Sequence, residues 1–182
     1  SRISVPIQSI VVTSTTHIPA LELLGVENTL VGFPNTDFIS SPKTRKRIDT
    51  GRVKEVGTNE TLNTEILIDM APDVIVSFGL NNSNPTLDNL QKSGLKVLLN
   101  GDWNEQSPLG KAEWIKVFGV ITNKENEANL YFDKLKKRYL AIQEKYKNIK
   151  LSRPLFSGSL IGDYWYFPAG ESYLSNLFKD AR

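Results

Sequence analysis

Cysteine is absent from this chain and histidine occurs once, at His17, which removes most of the side chains that nucleophilic and metal chemistry require. A Cys–His pair is impossible, and a Ser-His-Asp triad would have to use His17. No G-x-S-x-G elbow presents a serine: the nearest string, Gly158-Ser159-Leu160-Ile161-Gly162, puts leucine in the serine's place. Neither a G-x-x-x-x-G-K phosphate loop nor a G-x-G-x-x-G turn occurs. Disulfides, iron–sulfur clusters and thiolate zinc sites are excluded within the chain, and one imidazole supplies little toward a transition-metal site. No catalytic residue, metal ligand or resident cofactor is therefore named. Carboxylates alone can catalyse, yet so little equipment points to a binding protein rather than an enzyme.

The polar residues with the best position are Ser14, Thr15, Thr16 and His17. They follow the β-branched run Ser9–Thr13, at the carboxyl end of the first strand, where open α/β sheets collect ligands. Thr15 and His17 are candidate ligand contacts from there. The alternative is hydroxyl capping of the next helix and a partly buried histidine satisfied by backbone.

The elements that must carry these residues alternate. After the first strand, Pro19 fits the first turn of a helix that Gly25 ends, and Asn28 to Val31 is the next strand. The stretch from Pro34 to Lys54 has no periodicity and is expected to be a long surface loop. Thr61 to Met70 carries Leu62, Ile66, Leu67 and Met70 in a helical stripe, Pro72-Asp73 breaks it, and Val74-Ile75-Val76 is a buried strand. A helix from Pro85 to Ser93, a strand at Lys96–Leu99 and a helix from Pro108 to Thr122 follow. This alternation predicts right-handed crossovers and a mostly parallel sheet covered on both faces.

A long amphipathic helix is predicted from Asn126 to Lys150, with Tyr131, Leu135, Tyr139, Ile142, Tyr146 and Ile149 on one face. At about 1.5 Å per residue it would span roughly 36 Å and act as a strut between lobes, leaving a groove for a ligand. Beyond it, Pro154–Ser157 and Tyr164–Phe167 are expected to pair as strands, and Glu171 to Lys179 to form a helix. The domain reading is 1–124, an N-terminal α/β lobe; 125–150, the bridging helix; and 151–182, the beginning of a C-terminal lobe.

Composition narrows the partners. Hydrophobic residues make up 40% and charged residues 23% of 182, as in an ordinary globular protein. With 22 basic against 20 acidic residues the net charge is +2, which gives no argument for nucleic acid or an anionic membrane surface. The longest apolar run, near Val74 to Phe78, is strand length and far short of a bilayer span. Ser1, without methionine or signal peptide before it, is read as a processed terminus or an artificial boundary.

Three stretches together resemble the ABC-transporter substrate-binding proteins that carry iron chelates, haem or cobalamin, the periplasmic-binding class with a helical backbone. The first runs Ser9-Ile-Val-Val-Thr-Ser-Thr-Thr-His17 through Leu30-Val31-Gly32. The second is Val56-Gly57 with Asn63-Thr64-Glu65-Ile-Leu-Ile-Asp-Met-Ala-Pro72-Asp73-Val-Ile-Val76, and the third is Gly162-Asp-Tyr-Trp-Tyr-Phe-Pro-Ala-Gly-Glu-Ser-Tyr-Leu174. Ala71 departs from the pattern, where a lysine is common. The resemblance implies an α/β fold: a Rossmann-like N-terminal lobe with a mostly parallel sheet, a bridging helix and the start of a second α/β lobe that a complete member would continue.

The resemblance also implies roles. Glu65 matches a helix glutamate that docks on an arginine of the permease membrane subunits; the bland alternative is a solvated glutamate in a first helical turn. Among the basic residues near Lys43–Lys54, Arg45 and Arg47 are candidate contacts for an anionic iron chelate, against a simple solvated patch. Phe78, Trp103 and Trp165 are candidates for stacking on a macrocycle or catechol, with Tyr164 and Tyr166 on the face opposite Trp165. Trp114, in mid-helix, is assigned to the core.

The expectation is a non-catalytic, monomeric, exported protein, periplasmic or lipid-anchored. It would hold an iron complex, haem or a corrinoid between lobes and close only slightly, since a continuous helix offers no hinge. The rivals are a cofactor-dependent enzyme or ligand sensor on a nitrogenase-like two-lobed scaffold, and a transition-metal importer component.

Overall fold

Ile10, Val11 and Val12 are wholly buried, and such an unbroken β-branched run suits a strand covered on both faces. In the computed structural model, which describes residues 2–78, 84–148 and 154–181, that run is the centre of a sheet. In chain order the elements are β1 (Ile10–Val12), α1 (His17–Leu23), β2 (Leu30–Phe33), α2 (Pro42–Asp49), β3 (Lys54–Glu55), α3 (Thr64–Met70), β4 (Val74–Phe78), α4 (Pro85–Lys92) and β5 (Val97–Asn100). They are followed by α5 (Pro108–Glu113), α6 (Ile115–Ile121), α7 (Glu125–Tyr146), β6 (Ser159–Ile161), β7 (Tyr164–Tyr166) and α8 (Tyr173–Asp180).

The five-stranded sheet has the order β3-β2-β1-β4-β5, and every pairing in it is parallel. The α/β class with a mostly parallel sheet is as the sequence predicts. Chain packing divides into two compact units, Ser1–Gly101 with Ile115–Ala128, and Asp102–Trp114 with Asn129–Arg182. In the first, one face of the sheet packs Val11, Val56, Leu67, Ile75, Leu87 and Leu90 together. Gly119 is needed where α6 meets the start of α7, because an added Cβ would lie 2.6 Å from Ala128 Cβ.

Asp73 locks the start of β4 to the start of β1. Its Oδ2 accepts from the Gln8 and Ser9 backbone N–H groups at 2.7 and 2.9 Å and from Ser9 Oγ at 3.2 Å. The Ser9 hydroxyl and carbonyl accept in turn from the Asp73 N–H. The Gln8 N–H bond above all, with the Ser9 bonds, holds the Asp73 carboxyl below its ordinary value, against the upward push of burial.

Several boundaries differ from the sequence reading, each for a local reason. The expected loop from Pro34 to Lys54 contains α2 and a 3₁₀ turn at Thr36–Phe38. α2 lacks a clear apolar stripe because caps define it: Ser41 is the N-cap, Pro42 takes the first turn, and Glu22 Oε1 accepts from both the Ser41 and Thr44 hydroxyls. Helix α3 starts at Thr64, capped by the Asn63 side chain, and a 3₁₀ turn at Glu27–Thr29 precedes β2. Ahead of α1, the Ser14 and Thr16 hydroxyls bond each other at 2.8 Å rather than supplying the expected cap. The predicted helix 108–122 is two, α5 ending at half-buried Trp114, whose indole N–H donates to Glu105 Oε1 at 3.1 Å.

Helix α7 is one unbroken run of 22 residues, about 33 Å long. The expected end at 149–150 lies outside the described residues. Its buried side chains are Ala128 and Phe132; of the expected stripe Leu135 and Tyr139 are half-buried, while Tyr131, Ile142 and Tyr146 are exposed. In the second unit, Tyr139 and Gln143 donate to Asp180 at 2.7 and 2.8 Å, joining α7 to α8. Burial, then the neighbouring Asp180 carboxylate, push the Tyr139 hydroxyl well above its usual value.

The hairpin also shifts: Ser159–Ile161, not Pro154–Ser157, pairs with Tyr164–Tyr166, across a tight turn at Gly162 (φ +60°) and Asp163. The positive φ that glycine accepts readily allows that short connection.

The Asp73 contacts give a stability expectation. Asp73→Ala should lower urea stability by about 1–2 kcal/mol, since it strips charge-assisted bonds from two backbone N–H groups that partly face solvent. A carboxyl whose folded pKa is depressed stabilises above the ordinary value of about 3.9, and this contribution fades as pH falls through the lower folded value. The gap between wild type and variant should therefore close on acidification, in denaturation curves taken at neutral and acid pH.

Candidate ligand cavity

β1 connects onward to β2 on one side of the sheet, while β4 returns on its other side. The connections leaving the carboxyl ends of β1 and β4 run to opposite sides, β1 to β2 and β4 to β5, the position at which open parallel sheets hold ligands. A cavity of about 280 Å³ opens there, lined by Thr13, Ser14 and Thr15 after β1, Phe33 at the end of β2, Phe78 at the end of β4, and Phe38 and Asn59 from two loops. Thr13 Oγ1 donates to Ser77 Oγ at 3.2 Å, tying the two strand ends at the cavity floor. Three phenyl rings and a set of hydroxyl and amide groups make the lining, and among the described residues no charged side chain contributes to it. Such a surface can stack on or enclose an apolar or planar solute and hydrogen-bond its edges.

The loops that carry Phe38 and Asn59 are held by backbone-directed bonds. Glu55 Oε1 accepts from Asn35 N–H at 2.7 Å, and Oε2 accepts from Thr36 N–H at 2.8 Å and Thr36 Oγ1 at 2.6 Å. Burial pushes the Glu55 carboxyl upward, but the bonds from Thr36 and Asn35 outweigh it and its pKa is lowered. After β3, Gly57 adopts φ +96°, its carbonyl accepts from Asn35 N–H, and it bridges to Leu62 around the Asn59 turn.

Of the residues expected to form the site, the structure brings Thr15 and Phe78 together in this cavity. His17 is 1% exposed, and its ring packs on Phe118 with centroids 5.4 Å apart, so it belongs to the interior beneath α1. Arg45 Nη1 donates to the Thr36 carbonyl at 2.7 Å, and Arg47 Nη2 to the Asn28 and Leu30 carbonyls at 3.0 and 3.1 Å. Both guanidinium groups are therefore engaged by the fold. Trp103 and Trp165 lie in the second unit and are 45% and 53% exposed. Trp165 stacks against Phe167 and meets Phe156 edge-on, while Tyr164 and Tyr166 are exposed as well. Glu65 is exposed in the first turn of α3.

The sequence of the family described as periplasmic binding protein matches residues 10–182. The chain belongs to the periplasmic binding protein family. This is a family of solute-binding proteins. The chain is 27% identical over 154 residues to the uncharacterized lipoprotein MJ0878 of Methanocaldococcus jannaschii, covering 80% of this chain and 37% of that protein. It spans less than half the length, 37 to 47%, of the curated relatives it matches.

Among solved structures, this periplasmic binding protein superposes with TM-score 0.75 on a possible iron-binding (periplasmic solute-binding) protein of Staphylococcus epidermidis, at 20% identity, covering 97% of this chain and 66% of that one. With the periplasmic vitamin B12 binding protein BtuF of Vibrio cholerae the TM-score is 0.71 at 16% identity, over 97% of this chain and 64% of that one. At such identities these likenesses establish a shared fold.

Sequence reasoning missed Phe33, Phe38 and Asn59 as cavity residues of this periplasmic binding protein. Phe33 ends a strand in the same way as Phe78, a signal that was available; Phe38 and Asn59 come from loops with no periodic signature. Among the described residues no group of three histidine, cysteine or acidic side chains could hold a metal ion.

Gly57 shapes the Asn59 loop, and a Cβ there would lie 2.5 Å from the Thr61 carbonyl in addition to the strain of positive φ. Gly57→Ala should cost more than about 1 kcal/mol in chemical denaturation, whereas Gly51→Ala, with nothing within 4 Å of its Cβ, carries only the φ penalty. Equal losses at the two positions would contradict the crowding at Gly57.

Proposed function

We propose that this chain is the solute-capturing part of an ABC importer and that it binds an iron complex, haem or a corrinoid. It is non-catalytic in this reading, exported, held in the periplasm or at the cell envelope by a lipid anchor, and monomeric. The cavity at the carboxyl ends of β1 and β4 carries the proposal: phenylalanines for stacking, hydroxyls for edge bonds, and among the described residues no acid–base pair in its lining. Support also comes from the fold shared with a possible iron-binding protein and a vitamin B12 binding protein. Among the described residues no helix is long and apolar enough to cross a membrane.

Thr15 and Phe78 are the contacts assigned to this unit, with Trp103 and Trp165 as the exposed aromatic candidates of the second. Glu65 is assigned to the permease subunits. It stands exposed one turn from Ile68, which is 48% exposed, and a carboxylate beside an apolar side chain suits an arginine-bearing partner.

Tryptophan fluorescence of the full-length protein, titrated with haemin, cyanocobalamin, ferrichrome and a ferric catecholate, tests the solute. One class should quench saturably. Phe78→Ala should then raise its Kd about tenfold, roughly 1.4 kcal/mol, as expected for removing one stacking ring. Absence of saturable binding to all four would sink the reading.

Glu65→Arg should separate capture from delivery. Solute affinity should be unchanged, while uptake by the permease in reconstituted vesicles should fall about tenfold or more, as expected for a charge reversal at a docking contact. Normal uptake by this variant would remove Glu65 from the interface.

A further inference from the structure

Phe38 is 69% exposed at the tip of the Thr36–Phe38 turn, while its neighbour Ile39 is 3% exposed. A phenyl ring left in water contributes little to folding, yet the turn that holds it is unusually well fastened. Glu55, from β3, takes three hydrogen bonds from the Asn35 and Thr36 end. Arg45, from α2, donates to the Thr36 carbonyl and lies 3.9 Å from Asp37 and 3.6 Å from Asp49. The Gly57 carbonyl takes a further bond from Asn35 N–H, and the turn closes on itself through Phe38 N–H to the Asn35 carbonyl at 2.9 Å. Asn35 itself sits at φ +53°, a left-handed conformation that such bonding must maintain.

We infer that Glu55 and Arg45 are positioning residues that clamp this turn so that Phe38 forms a preset wall of the cavity and contacts the solute. The inference rests on the capture reading above and refines it. Arg45 is spent on a backbone carbonyl of this turn, and an aromatic ring is what the turn delivers. The part of the solute met by this unit is consequently an apolar or planar face rather than its anionic groups. Fastening the ring beforehand removes the ordering penalty at binding, which is how a preorganised wall adds affinity.

The test uses the full-length protein and whichever of haemin, cyanocobalamin, ferrichrome and the ferric catecholate it binds. Phe38→Ala should raise the Kd of that probe about tenfold, and Phe38→Trp should restore it to within about threefold. Glu55→Gln and Arg45→Met should each weaken binding about tenfold in the wild-type background and hardly at all when Phe38 is already alanine. Such coupling is expected only if they act through the ring. Thermal midpoints are measured alongside, and if Glu55→Gln does not fold, Arg45→Met carries the same comparison. Unchanged affinity in Phe38→Ala, or clamp losses that persist in full without the ring, overturns the inference and leaves capture standing. A wild-type protein that binds none of the probes overturns the capture reading and the inference with it.

Discussion

Parallel pairing of Ile10–Val12 with β2 on one side and β4 on the other is the constraint on which the remaining structure rests. The three residues are completely buried, so their register cannot slip without exposing apolar surface or unpairing backbone. Asp73 pins the entry to this pairing, and the Thr13–Ser77 bond marks its exit. Because the chain leaves β1 for β2 and β4 for β5, the connections from the two exits run to opposite sides. A cavity is the geometric consequence, and hydroxyl residues immediately after a strand and a phenylalanine at the end of another are what line it.

Carboxylates do much of the local construction. Glu22, Glu55 and Asp73 each accept several hydrogen bonds from backbone or hydroxyl groups near the start of a helix, turn or strand. Cations do the complementary work on carbonyls, with Arg47 reaching two and Arg45 one. This explains why a basic cluster in sequence need not be an anion-binding surface. A guanidinium fork that satisfies part-buried carbonyls is already committed, and redirecting it to a ligand would leave those acceptors without their partner.

The α/β alternation was legible because β1 and β4 are short unbroken apolar runs and α3 carries a helical apolar stripe, with Pro72 as punctuation between α3 and β4. α2 was not, since a serine cap, a first-turn proline and the Glu22 network specify it rather than an apolar stripe. Phe132 was overlooked on α7 for a related reason: two overlapping apolar rows run along that helix, and periodicity alone does not say which one packs. Of the cavity residues, Thr15 followed from topology and Phe78 from its aromatic ring at a strand end, whereas Phe38 and Asn59 enter from loops whose proximity depends on tertiary bonds. His17 shows the opposite hazard. A lone histidine after a strand admits both a ligand-contact and a buried reading, and as the first residue of α1 it turns toward Phe118 and the interior.

The lining chemistry bears on selectivity. Charged walls attract solutes over a Debye length of about 8 Å at physiological salt, but they do so for any ion of the right sign. Phenyl rings and hydroxyls offer little at that range and discriminate at contact, by shape and by whether each polar edge finds a partner. A wall of that kind is useful only if it is already in place when the solute arrives, since a mobile phenylalanine would lose in ordering what it gained in contact. Fastening the Phe38 turn with Glu55 and Arg45 answers that requirement with groups that never enter the cavity. The charges of this region thus act indirectly, by fixing the geometry of an uncharged surface.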